Sequence, residues 1–184
     1  MNENNRPAVA RVLADGGEPM NPDALLSMLE LMGIEHEVLT HPPLRTVEDA
    51  KRIRPKTDYG HTKNLFVRNK KGKMWLLTLH EDRQVDLKQV AQTLGAGRFS
   101  FGSAERLMRY LGVIPGAVSP FAMLNDTSHQ VSFVIDEALM SHPKWHIHPL
   151  DNRMTVTLER QALLDFMASQ GVEYTLLAED GVRL

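Results

Sequence analysis

A lysine at the start of an apolar segment is the first residue whose type and position could support chemistry. Lys63 is followed by Asn64 and then by the apolar run at 65–67. A cationic side chain at the entrance to a strand can be aimed at a phosphate or a carbonyl group. It would stabilise the negative charge that develops when an ester carbonyl is attacked. Taken alone, Lys63 is more typical of an ordinary surface lysine.

A loop rich in glycine and proline follows a predicted helix. Residues 112–120 read GVIPGAVSP, with Gly116 and Pro120 four positions apart. Glycine lets a backbone approach a ligand closely, and proline restricts the local dihedral angles. The loop could therefore form a rigid binding wall with exposed amide groups, although its composition alone favours an ordinary connection between a helix and a strand.

Two histidines alternate in the segment 145–149, which reads WHIHP. On a strand, His146 and His148 would share one face, and that spacing can serve zinc. Because no third ligand stands at a familiar spacing, we predict no metal site and no cofactor, and we expect His148 to line a pocket as a hydrogen-bonding group. The chain has no cysteine, which excludes a thiol nucleophile, and no G-x-S-x-G elbow organises a catalytic triad.

Hydrophobic periodicity and capping residues predict the elements that must position these residues. Helices are predicted near 21–33, 46–53, 86–94, 103–111 and 159–170, and strands near 35–40, 64–68, 74–79, 98–101, 131–136, 145–147, 154–158 and 172–177. Short strands interleaved with helices, with one hairpin turn at 69–73, indicate an α/β or α+β domain with a mixed sheet. Lys63 is expected at the entrance to the second strand.

The chain of 184 residues is expected to form one compact domain over 21–184, after an N-terminal extension over 1–20. The first twenty residues mix basic and acidic side chains and do not resemble a secretory signal. No window approaches the roughly 18 apolar residues that a membrane span needs. We therefore expect a cytoplasmic protein with no membrane partner.

Positive charge is concentrated in one part of the chain. Residues 45–73 contain ten Lys or Arg against three acids, whereas the whole chain has a formal net charge of -2. Such asymmetry suits a polyanion that is contacted on one face, because neutralising phosphates supplies affinity that does not depend on sequence. Charge alone would more often indicate a solvated charged face.

Taken together, the motifs and their order along the chain resemble the YbaK/ProX family of aminoacyl-tRNA editing domains over about residues 21–178. The landmarks are His41-Pro42-Pro43 with Thr46-Val47-Glu48, Lys63-Asn64, a G-x-x-x-P motif at 116–120, Asn125-Asp126, and His148-Pro149-Leu150 with Asn152. Each landmark is weak alone, and their order and spacing make the resemblance specific. It implies the fold of the editing domain associated with prolyl-tRNA synthetase, a mostly antiparallel or barrel-like mixed sheet surrounded by helices.

The resemblance implies an enzyme that hydrolyses the ester between a wrong amino acid and its tRNA without a metal. The pattern around residues 111–127 and 148–150 looks most like the alanyl-tRNA(Pro) deacylases that act in trans. The implied substrate is therefore alanine on proline tRNA, and the implied partners are the acceptor stem of that tRNA and prolyl-tRNA synthetase. A synthetic site shaped for proline cannot strongly reject the smaller alanine, so a second site completes the discrimination.

The resemblance also assigns roles to residues. Lys63 is implied as the catalytic position that polarises the ester, and the substrate's own ribose hydroxyl is implied to assist the attacking water. The implied substrate-binding residues are Asn64, Gly116, Ala117, Ser119, Pro120, His148, His41 and Thr46, and the expected tRNA-binding residues are Arg45, Lys51, Arg52, Arg54 and Lys56.

Two alternatives remain open at the level of the sequence. The same fold could remove cysteine, or another small amino acid, from proline tRNA. The chain could instead be a non-catalytic module that binds tRNA or a synthetase, in which case Lys63 would be incidental.

Overall fold

The computed structural model describes residues 10–44, 46–53, 57–178 and 181–183, which form five α-helices, two 3₁₀ helices and nine strands. The helices are α1 (Pro22–Leu31), α2 (Val47–Ile53), α3 (Leu87–Thr93), α4 (Ala104–Leu111) and α5 (Arg160–Ser169). The strands are β1 (His36–Thr40), β2 (Gly60–Arg68), β3 (Met74–His80), β4 (Ser100–Phe101), β5 (Val131–Asp136), β6 (Lys144–Ile147), β7 (Met154–Glu159), β8 (Thr175–Leu177) and β9 (Val182–Arg183). The 3₁₀ helices are Pro120–Asn125 and Glu137–Ser141.

All nine strands belong to one mixed sheet. The strand order is β1-β7-β6-β2-β3-β5-β8-β9, and β4 pairs with β2 beside this path. The pairs β2–β6, β3–β5 and β5–β8 are parallel, and the other five pairs are antiparallel. The predicted fold class, a mixed and mostly antiparallel sheet with helices around it, is confirmed. No helix in the described ranges is long and apolar enough to cross a membrane.

Each face of the sheet has its own hydrophobic cluster. On one face, α1, α4 and α5 pack on side chains of β2, β3, β5, β6 and β7, with Phe66, Leu76 and Trp145 at the interface. On the other face, α3 covers a smaller cluster that contains Val67, Leu77 and other side chains of β3 and β5. Because side chains alternate along a strand, β2 and β3 contribute to both clusters.

Strand β2 begins earlier than the sequence predicts. The expected start was Asn64, whereas the strand starts at Gly60 and places Lys63 inside it. Polar residues at 61–64 concealed this part of the strand, because their side chains serve a polar part of the sheet rather than an apolar core. Gly60 is required there: a Cβ at this position would lie 2.6 Å from Cδ1 of the buried Trp145.

Strand β6 is too short to include both His146 and His148. It ends at Ile147, as the predicted strand at 145–147 does, so His148 lies beyond the strand and the condition for His146 and His148 to share one strand face is not met. The two 3₁₀ helices were not predicted. The first begins at Pro120, which fixes φ for a helical start.

The part of the N-terminal segment that the structure describes packs on the domain. The Ala14 amide donates to the Arg109 carbonyl at 2.7 Å, and the Met20 amide donates to Oδ1 of Asn125 at 2.9 Å. Leu13 is buried. The expected extension over 1–20 therefore includes residues that contact α4 and the first 3₁₀ helix, and residues 1–9 lie outside the described ranges.

Candidate active site

Lys63 lies on the face of the sheet that carries the smaller cluster. Its partner across β3 is Leu79, whereas Asn64 pairs with Thr78. Since successive side chains point to opposite faces, Lys63 and Asn64 project in opposite directions. Asn64 is engaged on its own face, because its Oδ1 accepts a hydrogen bond from Oγ1 of Thr78 at 2.7 Å. The two residues of this motif therefore do not line one face of the sheet together.

Two backbone carbonyls hold the ammonium group of Lys63. Its Nζ donates to the carbonyl of Glu81 at 3.0 Å and to the carbonyl of Arg83. An ammonium group has three N–H donors, and only these two residues in the described ranges accept from it. Burial lowers the pKa of Lys63 from its ordinary value, and the carboxylates of Asp82 and Asp136 oppose this effect. One N–H donor of the ammonium group therefore has no acceptor among the described residues.

A histidine pair lies on the same face as Lys63. His61 of β2 and His146 of β6 occupy paired positions, and their rings stack with centroids 4.7 Å apart. Tyr59 approaches His146 at 5.0 Å between centroids, and Nδ1 of His146 is hydrogen-bonded to Oγ1 of Thr157 at 2.9 Å. His61 and Thr157 were not predicted from the sequence as residues of the site. The available signal was the spacing of His61 and Lys63, which share a face once the strand begins at residue 60.

A second histidine pair lies near the ends of β1 and β6. Nδ1 of His41 donates to the Pro42 carbonyl at 2.9 Å, and its Nε2 accepts from Oγ1 of Thr155 at 2.8 Å. Nδ1 of His148 donates to the Met154 carbonyl at 2.8 Å. The ring centroids of His41 and His148 are 6.2 Å apart. These tautomers follow because a carbonyl oxygen only accepts.

The environment of His148 favours its neutral form. Burial lowers the pKa of His148, and the nearby His41 acts in the same direction, against the hydrogen bond to the Met154 carbonyl. Near neutral pH the ring is therefore uncharged. With the proton on Nδ1, its Nε2 is an acceptor nitrogen.

The G-x-x-x-P loop is mostly buried and exposes its glycine. Gly116 has a φ of +90° and is exposed, whereas Ala117, Ser119 and Pro120 are buried. A φ in this range favours glycine. The Oγ of Ser119 is buried and has no hydrogen-bond partner among the described residues. The backbone around Gly116 is therefore accessible to a ligand. The buried residues Ala117, Ser119 and Pro120 fix the loop to the rest of the domain.

Asn152 connects the glycine loop to the histidine pair at 41 and 148. A Cβ at Gly116 would lie 3.3 Å from Nδ2 of Asn152. The same Nδ2 donates to the Leu44 carbonyl at 3.3 Å, and the Leu44 amide donates to the Asn152 carbonyl at 3.1 Å. The structure thus brings Gly116, His41 and His148 into one neighbourhood. No hydrogen bond between this neighbourhood and Lys63 is found in the described part of the chain.

Helix α2 begins with a reciprocal cap and contacts the turn that holds Lys63. Oγ1 of Thr46 accepts from the Asp49 amide at 3.1 Å, and the Thr46 amide donates to Oδ2 of Asp49 at 3.2 Å. The hydroxyl of Thr46 therefore serves the helix end as an acceptor. Nζ of Lys51 lies 2.6 Å from Oδ1 of Asp82, and Arg52 is exposed.

The remaining predicted tRNA contacts, Arg45, Arg54 and Lys56, lie outside the described residues.

A cavity of about 1160 Å³ opens beside the turn after β3. Its wall includes His80, Arg83, Asp136 and Leu177, and none of the predicted site residues lines it. Among the described residues, no group of three or more His, Asp or Glu side chains is arranged to hold a metal ion.

Comparison with known proteins identifies relatives along most of the chain. Residues 41–166 match a family model described as the aminoacyl-tRNA editing domain. The Prolyl-tRNA editing protein ProX of Acetoanaerobium sticklandii is 34% identical over 149 residues, which cover 80% of this chain and 91% of that protein. The Prolyl-tRNA synthetase associated domain-containing protein 1 of Bos taurus is 33% identical over 162 residues, which cover 85% of this chain and 94% of that protein.

Solved structures share the same architecture. A structure described as a candidate trans-editing enzyme for prolyl tRNA synthetase superposes with a TM-score of 0.64 at 17% identity. The superposition covers 90% of this chain and 98% of the other one. At this identity the likeness concerns the fold.

Proposed function

This chain belongs to the aminoacyl-tRNA editing domain family and is an aminoacyl-tRNA deacylase, and we propose that it acts in trans on alanine attached to proline tRNA. The observation that carries the proposal is the extended similarity to the Prolyl-tRNA editing protein ProX, which covers most of both chains. Alanine is smaller than proline, so a synthetic site for proline discriminates poorly against it and a separate editing site is needed.

In the proposed reaction, water attacks the ester carbonyl, the carbon–oxygen bond to the ribose breaks, and the ribose oxygen takes up a proton. The ammonium of Lys63 would donate its remaining hydrogen bond to the carbonyl oxygen as negative charge develops there. The ribose hydroxyl beside the ester would assist the water, so the protein needs no covalent nucleophile. This role for Lys63 fits its half-buried position and its fixed Nζ.

The backbone around Gly116 and the ring of His148 would hold the end of the substrate. Gly116 exposes its peptide groups, and neutral His148 offers an acceptor nitrogen to a ribose hydroxyl or an amino group. His41 and Thr46 would support this end, because both already bond to neighbouring elements. Asn64 would act from the opposite face by holding β2 to β3.

The acceptor stem would lie along α2. Lys51 and Arg52 are exposed there, and we include Arg45, Arg54 and Lys56 in the same surface from their positions in the sequence. Phosphate contacts of this kind position a nucleic acid without reading its sequence. We further propose that the protein works in the cytoplasm, where aminoacyl-tRNA is consumed, and that prolyl-tRNA synthetase is a partner.

The proposal predicts selective hydrolysis that depends on Lys63. Purified protein is incubated with proline tRNA charged with alanine, cysteine or proline, and the remaining ester is measured over time. We expect alanine to be removed fastest. The Lys63→Ala variant should be slower by about 100-fold or more, because a fixed donor to the developing oxyanion is lost.

A matched control is Lys144→Ala, which removes a lysine of β6 that pairs with Glu159 at 3.8 Å near the surface. This variant should keep the rate of the unmodified protein. Preferential removal of cysteine would mean that the substrate is cysteinyl-tRNA(Pro) rather than alanyl-tRNA(Pro). Equal activity of Lys63→Ala and Lys144→Ala would remove Lys63 from the reaction, and no loss of any amino acid would contradict the proposal as a whole.

A further inference from the structure

The turn after β3 determines where the ammonium of Lys63 lies. The Arg83 amide donates to the His80 carbonyl at 3.0 Å, which closes the turn over residues 80–83. Within it, the carbonyls of Glu81 and Arg83 accept from Nζ of Lys63. A displacement of this turn would therefore move both acceptors and release the ammonium group.

One buried carboxylate fixes both ends of that turn. Asp136, the last residue of β5, has no exposed surface. Its Oδ2 accepts from the His80 amide at 3.1 Å, and its Oδ1 accepts from Nη1 of Arg83 at 2.5 Å and from the Ala138 amide at 3.2 Å. The bond to Arg83 joins opposite charges in a site largely shielded from water, where such bonds are strong and geometrically demanding.

We propose that Asp136 and Arg83 are positioning residues of the deacylation reaction, because their ion pair fixes the turn whose carbonyls hold the Lys63 ammonium. The inference depends on the role proposed for Lys63. Neither residue contacts the substrate in this proposal. Both act through the turn, although they are distant from each other in sequence. Small displacements of a catalytic group are costly, since a shift of about 1 Å can reduce a rate by about 100-fold.

The same residues also contribute to the charge of Lys63. Burial is the largest effect and lowers its pKa, the carboxylates of Asp82, Asp136 and Glu81 raise it, and the charge of Arg83 lowers it. Asp82 additionally pairs with Lys51 of α2. The net pKa is below the ordinary value, so the ammonium exists below that pKa and is lost as the pH rises through it.

Substitution of Arg83 should therefore shift the alkaline limit of activity. Arg83→Met relieves the burial and removes the positive charge that both lower the pKa of Lys63, so the limit moves to higher pH. Asp136→Asn relieves the same burial but removes a charge that raises this pKa, so its two effects on the limit oppose each other. Both variants lose the anchored turn, and both should be slower near neutral pH.

The experiment measures single-turnover hydrolysis of alanyl-tRNA(Pro) at saturating enzyme from neutral to alkaline pH, after subtraction of the rate without enzyme. We expect Asp136→Asn and Arg83→Met to lose about tenfold or more in the saturating rate, with little change in the enzyme concentration that gives half saturation. The control Leu163→Ala opens the core under α5, where Leu163 is 1% exposed. It should be less stable and keep both the rate and the pH limit.

A second measurement does not depend on catalysis. The rate at which an acylating reagent modifies Lys63 is followed by mass spectrometry at fixed pH. We expect faster modification in Asp136→Asn, where Lys63 is released from the two carbonyls of the turn and is more accessible, and no change in Leu163→Ala. If Asp136→Asn does not fold, Arg83→Met carries the test, because the Arg83 side chain is partly exposed and its saturating rate should fall in the same way.

Unchanged modification of Lys63 in a folded Asp136→Asn protein would overturn the proposal, as would an unmoved pH limit in Arg83→Met or a loss of rate equal to that of Leu163→Ala. Failure of the proposed function is a distinct result. In that case the unmodified protein hydrolyses no aminoacyl-tRNA, while the modification of Lys63 still responds to Asp136.

Discussion

Lys63 and Asn64 are adjacent in sequence and act on opposite faces of the sheet. The side chain of Lys63 reaches the turn after β3, whereas Asn64 binds Thr78 beside the larger cluster. A motif of two consecutive residues in a strand can therefore combine one residue that does chemistry with one that holds its strand in place. Direct contact of Asn64 with the substrate stays a prediction, and the observed bond supports a role in fixing the strand.

The conformation of Gly116 makes it the most informative single residue of the loop. An alanine there must adopt a φ near +90°, at a cost of about 1–2 kcal/mol. Its Cβ would also press on Asn152, which holds the Leu44 carbonyl. We expect Gly116→Ala to lose stability by about this amount in chemical unfolding and to lose deacylation activity by more than the stability change explains.

Gly33 provides a matched control for backbone strain. It has a φ of +69°, and a Cβ there would meet no atom within 4 Å. Gly33→Ala should lose similar stability and keep the rate of hydrolysis per folded molecule. Comparable rates for the two alanine variants would show that the glycine loop does not contact the substrate.

Candidate residues of the site could be predicted only where short motifs contained them. Lys63, Gly116 and His148 became candidates through the family resemblance, and their roles stay predictions. Arg83 and Asp136, which lie around Lys63, were not predicted because no local pattern marks them, and the spacing of His61 and Lys63 is a signal only once the strand is known to begin at residue 60. His61 meets His146 through the parallel pairing of β2 with β6, and Asp136 reaches Arg83 from the end of another strand. Long-range pairing of this kind leaves no pattern in a single segment.

At the scale of elements, the prediction succeeded where caps and periodicity agree. Helix α1 begins after Asn21, whose side chain accepts from the Ala24 amide, and α4 ends at Gly112 with a left-handed conformation. Prediction failed at the start of β2, where polar residues form a strand. Strand periodicity depends on one face being apolar, and the face with His61 and Lys63 is polar.

Helix α2 is the part of the basic segment that lies near Lys63. Its Lys51 reaches Asp82, next to the carbonyl that holds the ammonium, while Lys73 lies beyond the far end of β2. The five residue steps of strand from Lys63 to Arg68 span about 17 Å. Lys51 and Lys73 are thus far apart along the sheet.

Removal of one charge from α2 should weaken tRNA binding uniformly. We expect Arg52→Gln to reduce the slope of log affinity against log salt concentration by about 1, for proline tRNA and for other tRNAs alike. Binding is measured over a range of salt concentrations, beside Lys73→Gln. An equal effect of Lys73→Gln would mean that the whole basic segment contacts the nucleic acid, and an unchanged slope for Arg52→Gln would exclude α2 from the interface.

At the scale of the whole molecule, one sheet supports both hydrophobic clusters. Adjacent residues of β2, Phe66 and Val67, belong to different clusters, and so do Leu76 and Leu77 of β3. Neither cluster can lose its strands without disrupting the other. We therefore expect residues 21–184 to unfold as one cooperative domain.

The two clusters have a consequence for optical measurement. The chain has two tryptophans, and the fold places one in each cluster. Trp145 is fully buried and donates from Nε1 to the Leu139 carbonyl at 3.0 Å, whereas Trp75 packs against Phe99 with ring centroids 5.0 Å apart. Replacement of either one by phenylalanine leaves a fluorophore that reports on one face of the sheet.

Fluorescence of Trp75→Phe and Trp145→Phe during urea unfolding should give transitions that each coincide with the loss of circular dichroism in the same protein. A fluorescence midpoint that differs from the circular-dichroism midpoint in either protein would mean that one face of the sheet can melt alone. Because Trp145 lies against Gly60, its emission would also report on the packing beneath that end of β2, on the face opposite Lys63.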